Sequence, residues 1–153
     1  MNINEEKRNS DGGADAPAAN PSQQELLELL QSSRTIAVVG LSDNPGRYSC
    51  IIAAYLKSKG YRIIPVNPKK TEILQEKCYP DLLAIPDPVD IVDIFRNTEA
   101  LPGIVDEAIK IGAGAVWMQQ GLSHSKAAQK ARAAGMCVIQ NLCIMVQHRK
   151  LLR

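Results

Sequence analysis

A run of apolar, largely β-branched residues, Thr35-Ile-Ala-Val-Val39, breaks at once into Gly40-Leu-Ser-Asp-Asn-Pro45-Gly46 and then resumes as a helical pattern. Consecutive apolar positions suit a strand buried on both faces of a parallel sheet, not an edge strand with one wet face. The residue types that follow supply tight turns and close backbone approach. Beyond them, Ile51, Ile52, Tyr55 and Leu56 fall on one side of a helix over residues 50–60, with Ser49 expected as its N-cap. A helix N-terminus facing the end of a buried strand presents unpaired N–H groups and a positive dipole end, which suits an anion such as phosphate. The loop matches neither G-x-G-x-x-G nor a Gly-Lys-Ser/Thr phosphate loop. Two readings therefore stand: Gly40 and Gly46 only permit a tight turn, or the loop holds a phosphate at the strand ends, where ligands of open parallel sheets collect.

The same alternation continues along the chain. Residues 61–66, 89–95, 115–118 and 136–139 read as strands. Between them, Leu101, Ile104, Val105, Ala108 and Ile109 mark one helix face, and Ala127, Ala128, Ala131 and Ala134 mark another. Ahead of the first strand, Ser22-Gln-Gln-Glu25 is a capping box before Leu26, Leu27, Leu29 and Leu30. Pro65 cannot donate to a ladder, so its N–H side must be unpaired or at a strand end. Alternating strands and helices with short loops imply an α/β fold, a Rossmann-like doubly wound parallel sheet of about five strands in a single domain, expected order 3-2-1-4-5. Residues 1–21, polar and almost without large apolar side chains, are expected to form a disordered tail before a domain over residues 22–153.

This topology brings Asn67-Pro68-Lys69-Lys70, Arg96 and Gln119-Gln-Gly121 to the edge that carries the loop after Val39. An NAD site usually has a carboxylate at the end of the second strand; here a lysine pair would instead attract a phosphorylated ribose, as in coenzyme A or NADP. Read singly, each lysine also fits a solvated turn. Arg96 suits a bidentate phosphate contact or a surface ion pair with Glu99. Phe95 and Trp117 fit core packing, or the border of a ring or thioether pocket. Asp90 and Asp93 lie inside an apolar strand, where a buried carboxylate must find donors. His124 is expected exposed at a helix start and His148 at the surface, so no catalytic residue is assigned.

The chain carries +2 overall, with −2 in residues 1–21 and +4 in the remainder. That excess is compatible with a small anion and too weak to indicate nucleic acid. No apolar run approaches the roughly 20 residues of a bilayer span, and the polar start lacks a secretory signal, so a cytoplasmic location without membrane contact is expected. Cys50, Cys78, Cys137 and Cys143 form no C-x-x-C pair, and neither a metal site nor a disulfide framework is indicated.

Taken together, Ile36-Ala-Val-Val-Gly-Leu-Ser-Asp-Asn-Pro45, Gly60-Tyr-Arg-Ile-Ile-Pro-Val-Asn-Pro68, Glu76-Lys-Cys-Tyr-Pro80, Val89-Asp-Ile-Val-Asp-Ile-Phe-Arg96 and Val116-Trp-Met-Gln-Gln-Gly121 resemble the small CoA-binding protein family. That family is similar to the CoA-binding domain of the succinyl-CoA synthetase alpha subunit. The resemblance, over about residues 35–152, implies coenzyme A or an acyl-CoA held at the carboxyl edge. Gly40, Ser42, Pro45, Arg47 and Tyr48 would form the first loop of the site. Val66, Asn67, Pro68, Lys69 and Lys70 would flank the nucleotide, with Phe95, Arg96 and Gln119 nearby. Asn141 stands where family members often have Asp, and the ligase parts of the synthetase do not carry over to one domain. The expectation is a binding module without catalysis of its own, a homodimer being left open. The alternatives are an NADP-binding oxidoreductase fragment, or an interaction protein with a vestigial crevice.

Overall fold

The computed structural model describes residues 19–152; most of the expected tail lies outside them. Five parallel strands form the sheet: β1 (Thr35–Val39), β2 (Arg62–Val66), β5 (Ile91–Ile94), β6 (Ala115–Met118) and β7 (Cys137–Ile139). Helices α1 (Gln23–Ser32), α2 (Tyr48–Ser58) and α5 (Ile144–Leu151) cover one face. Helices α3 (Leu101–Lys110) and α4 (Ser125–Ala133) cover the other. The expected α/β doubly wound class is the observed one. Alternate strand residues divide between two cores: Ile36, Val38 and Ile63 pack under α1, α2 and α5, while Ala37, Val39 and Ile64 pack under α3 and α4. Of the expected alanine stripe of α4, Ala127, Ala128 and Ala131 are buried, whereas Ala134 is corrected: it is the C-cap, past the last helical turn, and exposed.

The strand order is corrected. The sequence predicts 3-2-1-4-5, but the sheet runs β2-β1-β5-β6-β7, so the third long strand pairs with β1 on the side away from β2. Pro65 supplies the reason. On the outer side of β2 its carbonyl accepts the Tyr79 N–H at 3.0 Å, and Asn67 N–H donates to Tyr79 O at 2.9 Å. Having no N–H, Pro65 cannot extend that single bridge into a ladder, which confines β2 to an edge. A short antiparallel pair, β3 (Glu72–Ile73) with β4 (Glu76–Lys77), and a 3₁₀ turn at Leu82–Ala84 then carry the chain across to β5. Asp90 fixes its arrival: Oδ2 accepts the N–H groups of Arg34 at 2.8 Å and Thr35 at 3.0 Å. Both strand orders leave the end of β1 at the switch point, here between β1 and β5.

Local signals hold at both ends of the chain. Ser22 and Glu25 complete both hydrogen bonds of the capping box. Asn20 pairs with the edge strand's exit, donating to Gln140 O and accepting from Gln140 N at 2.8 Å each. Helix α5 and the β3–β4 pair are absent from the sequence reading. His148, expected at the surface, is buried on α5, its Nδ1 within 2.8 Å of the Tyr55 hydroxyl. Burial, with Lys59 nearby, lowers its pKa.

Replacing Asp90 with Ala should lower stability by about 1–3 kcal/mol, because two strand-entry N–H groups lose their acceptor. A urea midpoint that moves down at constant slope would show this; an unmoved midpoint would mean water substitutes fully.

Candidate functional site

The carboxyl edge is built around Gly40. Its φ of +85° is favoured only for glycine, and its N–H donates to Val66 O at 2.9 Å. A Cβ there would stand 2.5 Å from Phe95 O and 2.9 Å from Arg96 Cδ. The exits of β1, β2 and β5 therefore touch through backbone at one point, and the Arg96 stem lies across it. Phe95 N–H donates to Val39 O at 2.8 Å, continuing the parallel ladder one residue past the strand end.

The loop between Gly40 and α2 is held by its own short polar side chains. Ser42 Oγ accepts the Asn44 N–H at 3.0 Å, and Asn44 Oδ1 accepts the Gly46 N–H at 2.9 Å. Ser49 is not the N-cap: α2 starts at Tyr48, two residues earlier than that cap would set it, with Arg47 in the cap position. Ser49 is buried instead, and its Oγ accepts the Ser42 N–H at 3.0 Å, tying the loop to the first helical turn. Pro45, Arg47 and Tyr48 are exposed, Tyr48 at 78%, and among the described residues their side chains make no hydrogen bond or ion pair.

The loop after β2 is stitched to the first. Asn67 Nδ2 donates to Leu41 O at 3.0 Å, and Asn67 Oδ1 accepts the Lys69 N–H at 2.9 Å. Lys70 Nζ lies 2.8 Å from Asp43 Oδ2. The Lys70 hydrogen bond is the main reason the Asp43 carboxyl titrates below its ordinary range. The two lysines expected to act together thus differ: Lys70 is paired within the protein, whereas Lys69 has no ion pair among the described residues. Val66 is buried at the strand end and Pro68 is exposed beside Lys69.

Gln119 approaches from beneath. It is 5% exposed, and its Nε2 donates to Oδ1 of Asp93, a residue wholly buried on β5. Asp93 Oδ2 has no partner. Burial raises the Asp93 carboxyl to about 7, the Gln119 hydrogen bond opposing it. Behind Gln119, Asn141 adopts φ +59° and accepts the Gly121 N–H at 2.7 Å, joining the loops after β6 and β7. His124 is the N-cap of α4, with Nδ1 accepting the Ala127 N–H at 3.1 Å. Trp117 is core, its Nε1 donating to Leu142 O at 2.9 Å. Burial raises the Cys50 thiol in the first turns of α2, as expected of a packed cysteine.

The model of the CoA binding domain family matches residues 34–149. The chain belongs to this family. Among its relatives is the uncharacterized protein YneT of Bacillus subtilis (strain 168), 46% identical over 129 residues that cover 84% of this chain and 96% of that protein. A hypothetical protein from Pyrococcus horikoshii OT3 superposes with a TM-score of 0.86 at 38% identity, covering 90% of this chain and 97% of that one. Acetate–CoA ligase [ADP-forming] II of Archaeoglobus fulgidus is 38% identical over 101 residues, 64% of this chain but only 15% of the ligase. Thus the CoA-binding domain stands here as most of a short chain, and in the ligase as a small part of a long one.

The two missed contacts, Ser42 with Ser49 and Lys70 with Asp43, differ in legibility. Opposite charges in two loops of one sheet edge were visible in the sequence; a serine inside the first helical turn reads as a cap until the loop's path is known.

In this CoA-binding domain, Asp93 gives stability a pH slope of defined sign. The folded state retains the Asp93 proton more tightly than the unfolded chain does, so stability falls as pH rises from about 4 to 7. The loss approaches about 4 kcal/mol. Urea midpoints of Asp93→Asn should lack this component, the variant gaining on the wild type between pH 5 and pH 8. Parallel midpoints would show that Asp93 is ionised at ordinary carboxylate pH.

Proposed function

We propose that the protein binds coenzyme A, free or acylated, in the crevice where the loops after β1, β2 and β5 meet, and that it does so without a chemical step of its own. The observation that carries this reading is the backbone contact at Gly40: with no side chain there, three strand ends form one continuous rim at the topological switch point. Family membership supplies the ligand class. In this reading the first turn of α2 faces a phosphate with its free N–H groups, and Lys69 and Arg96 provide cations at the rim. Lys70 acts indirectly, because its pair with Asp43 keeps the first two loops in register. Tyr48, exposed on the same turn, offers an aromatic face to the ligand's adenine or acyl portion. The ligase reaction belongs to a protein of which this chain matches 15%, and is not assigned to it.

Calorimetric titration with CoA, dephospho-CoA and NADP tests the proposal. CoA should bind, and dephospho-CoA should bind more weakly, because a phosphate that Lys69 attracts is missing. Lys69→Glu should weaken CoA by about tenfold, which is about 1.4 kcal/mol, while leaving the urea midpoint unchanged. Equal affinity for CoA and NADP would point to a site selective only for phosphorylated ribose, and no binding of any of the three would overturn the reading.

A further inference from the structure

The amino edge of the sheet, opposite the proposed CoA crevice, carries two adjoining hollows that share Lys59 and Leu152. The larger, of about 520 Å³, lies between the end of α1, the residues entering β1 and β2, and α5; Ser33, Arg34, Tyr61 and His148 are among its walls. The smaller, of about 390 Å³, adds Tyr55 and Arg149. Neither wall includes an aspartate or a glutamate. One aromatic ring gathers two of the cations: Lys59 Nζ lies 5.4 Å and Arg149 Cζ 5.2 Å from the centroid of Tyr55. Arg34, Lys59 and Arg149 have no ion pair among the described residues.

His148 is the unusual wall. It is 6% exposed, and its Nδ1 is committed to the Tyr55 hydroxyl at 2.8 Å. Its other nitrogen, Nε2, makes no hydrogen bond with another described residue. Basic side chains are favoured near helix C-termini, and α2 and α5 both end here. That accounts for the charges. It does not account for a hollow of this size walled by cations, nor for a histidine buried against it.

We infer that this cavity is a second binding site, for a small anion carrying two or more charges, a phosphate compound or a polycarboxylate, held by Arg34, Lys59, Arg149 and the His148 ring. Three unpaired cations exceed what a monovalent anion offsets, and guanidinium groups pair with phosphate and carboxylate alike. A bound anion lets His148 keep a proton: Nδ1–H then donates to the Tyr55 oxygen, and Nε2–H to the ligand. Without the anion, burial and Lys59 hold the ring's pKa below its usual range. The titratable and charged groups around the ring are Tyr55 and Lys59 at the end of α2, Tyr61 before β2, Arg34 before β1 and Arg149 beside it on α5. Helix α1 brings only the uncharged Leu30 and Gln31. The site does not depend on the CoA reading, because it lies a strand's length, roughly 16 Å, from that crevice.

The chain has two histidines, so the ring C–H signal of His148 is identified as the one that persists in His124→Asn. The test follows that signal through a pH series with no added anion, with pyrophosphate, with citrate, and with sodium chloride at matched ionic strength. Pyrophosphate, citrate or both should raise the midpoint by about one pH unit, and chloride should not match that rise. A rise with both assigns the site to multivalent anions at large; pyrophosphate alone narrows it to phosphates, and citrate alone to polycarboxylates. The double variant Lys59→Gln/Arg149→Gln changes two exposed positions. It should start from a higher midpoint, having lost Lys59, and show no further rise with either anion. An unmoved wild-type midpoint, a rise that chloride reproduces, or a rise that the double variant retains overturns the inference. A second readout is calorimetric titration with pyrophosphate in saturating CoA, which keeps the opposite crevice filled. The double variant should bind pyrophosphate at least about tenfold more weakly than the wild type. Equal affinity in the two proteins overturns the inference as well.

Discussion

The carbonyl oxygen of Phe95 occupies the space that a side chain at residue 40 would need. This single steric fact links the fold to the crevice. Strand β1 is central, so its exit must pass between the exits of β2 and β5, and only a residue without a Cβ lets the three backbones close to hydrogen-bond distance. From there the loop to α2 needs little length, and its serine and asparagine side chains satisfy its own N–H groups. The Asn67 contact to Leu41 and the Lys70 pair with Asp43 then lock the second loop onto the first.

Much of this arrangement was legible in the sequence, because apolar runs and glycine-rich breaks report directly on buried strands and their exits. The capping box at Ser22 and the alanine stripe of α4 depend only on neighbours within a few residues; the box forms as read, and the stripe forms up to Ala131, the helix ending before Ala134. The strand order was less accessible. Pro65 left two positions open, an unpaired N–H side or a strand end, and only the strand's surroundings show that its missing N–H lies on the outer side, where β2 makes a single bridge to Tyr79. His148 shows another limit. Its basic neighbours Arg149 and Lys150 suggest a surface segment, yet the helical phase of α5 turns Ile144, Gln147 and His148 inward and leaves the two cations outside. Among the site residues, loop positions were readable from topology, while contacts such as Ser42 with Ser49 depend on a loop path that has no periodicity to read.

Asp93 and Asp90 illustrate how two carboxylates in one apolar strand acquire different characters. Asp90, partly exposed at the strand entry, receives two backbone N–H groups and serves as a clamp. Asp93, three residues on and wholly enclosed, receives one amide and keeps an unsatisfied oxygen. The difference is one of supply: strand entries have free backbone donors, whereas the middle of a parallel ladder has already committed them.

The two sheet margins also have a shared consequence. Beside β2, Pro65 offers no N–H to an incoming strand; beside β7, the amide of Asn20 occupies both backbone groups of Gln140. A five-stranded open sheet ordinarily presents two templates on which neighbouring molecules can polymerise. Here one margin is interrupted by an imino acid and the other by a side chain imitating a peptide unit, so neither margin offers an incoming strand an unbroken row of free backbone groups.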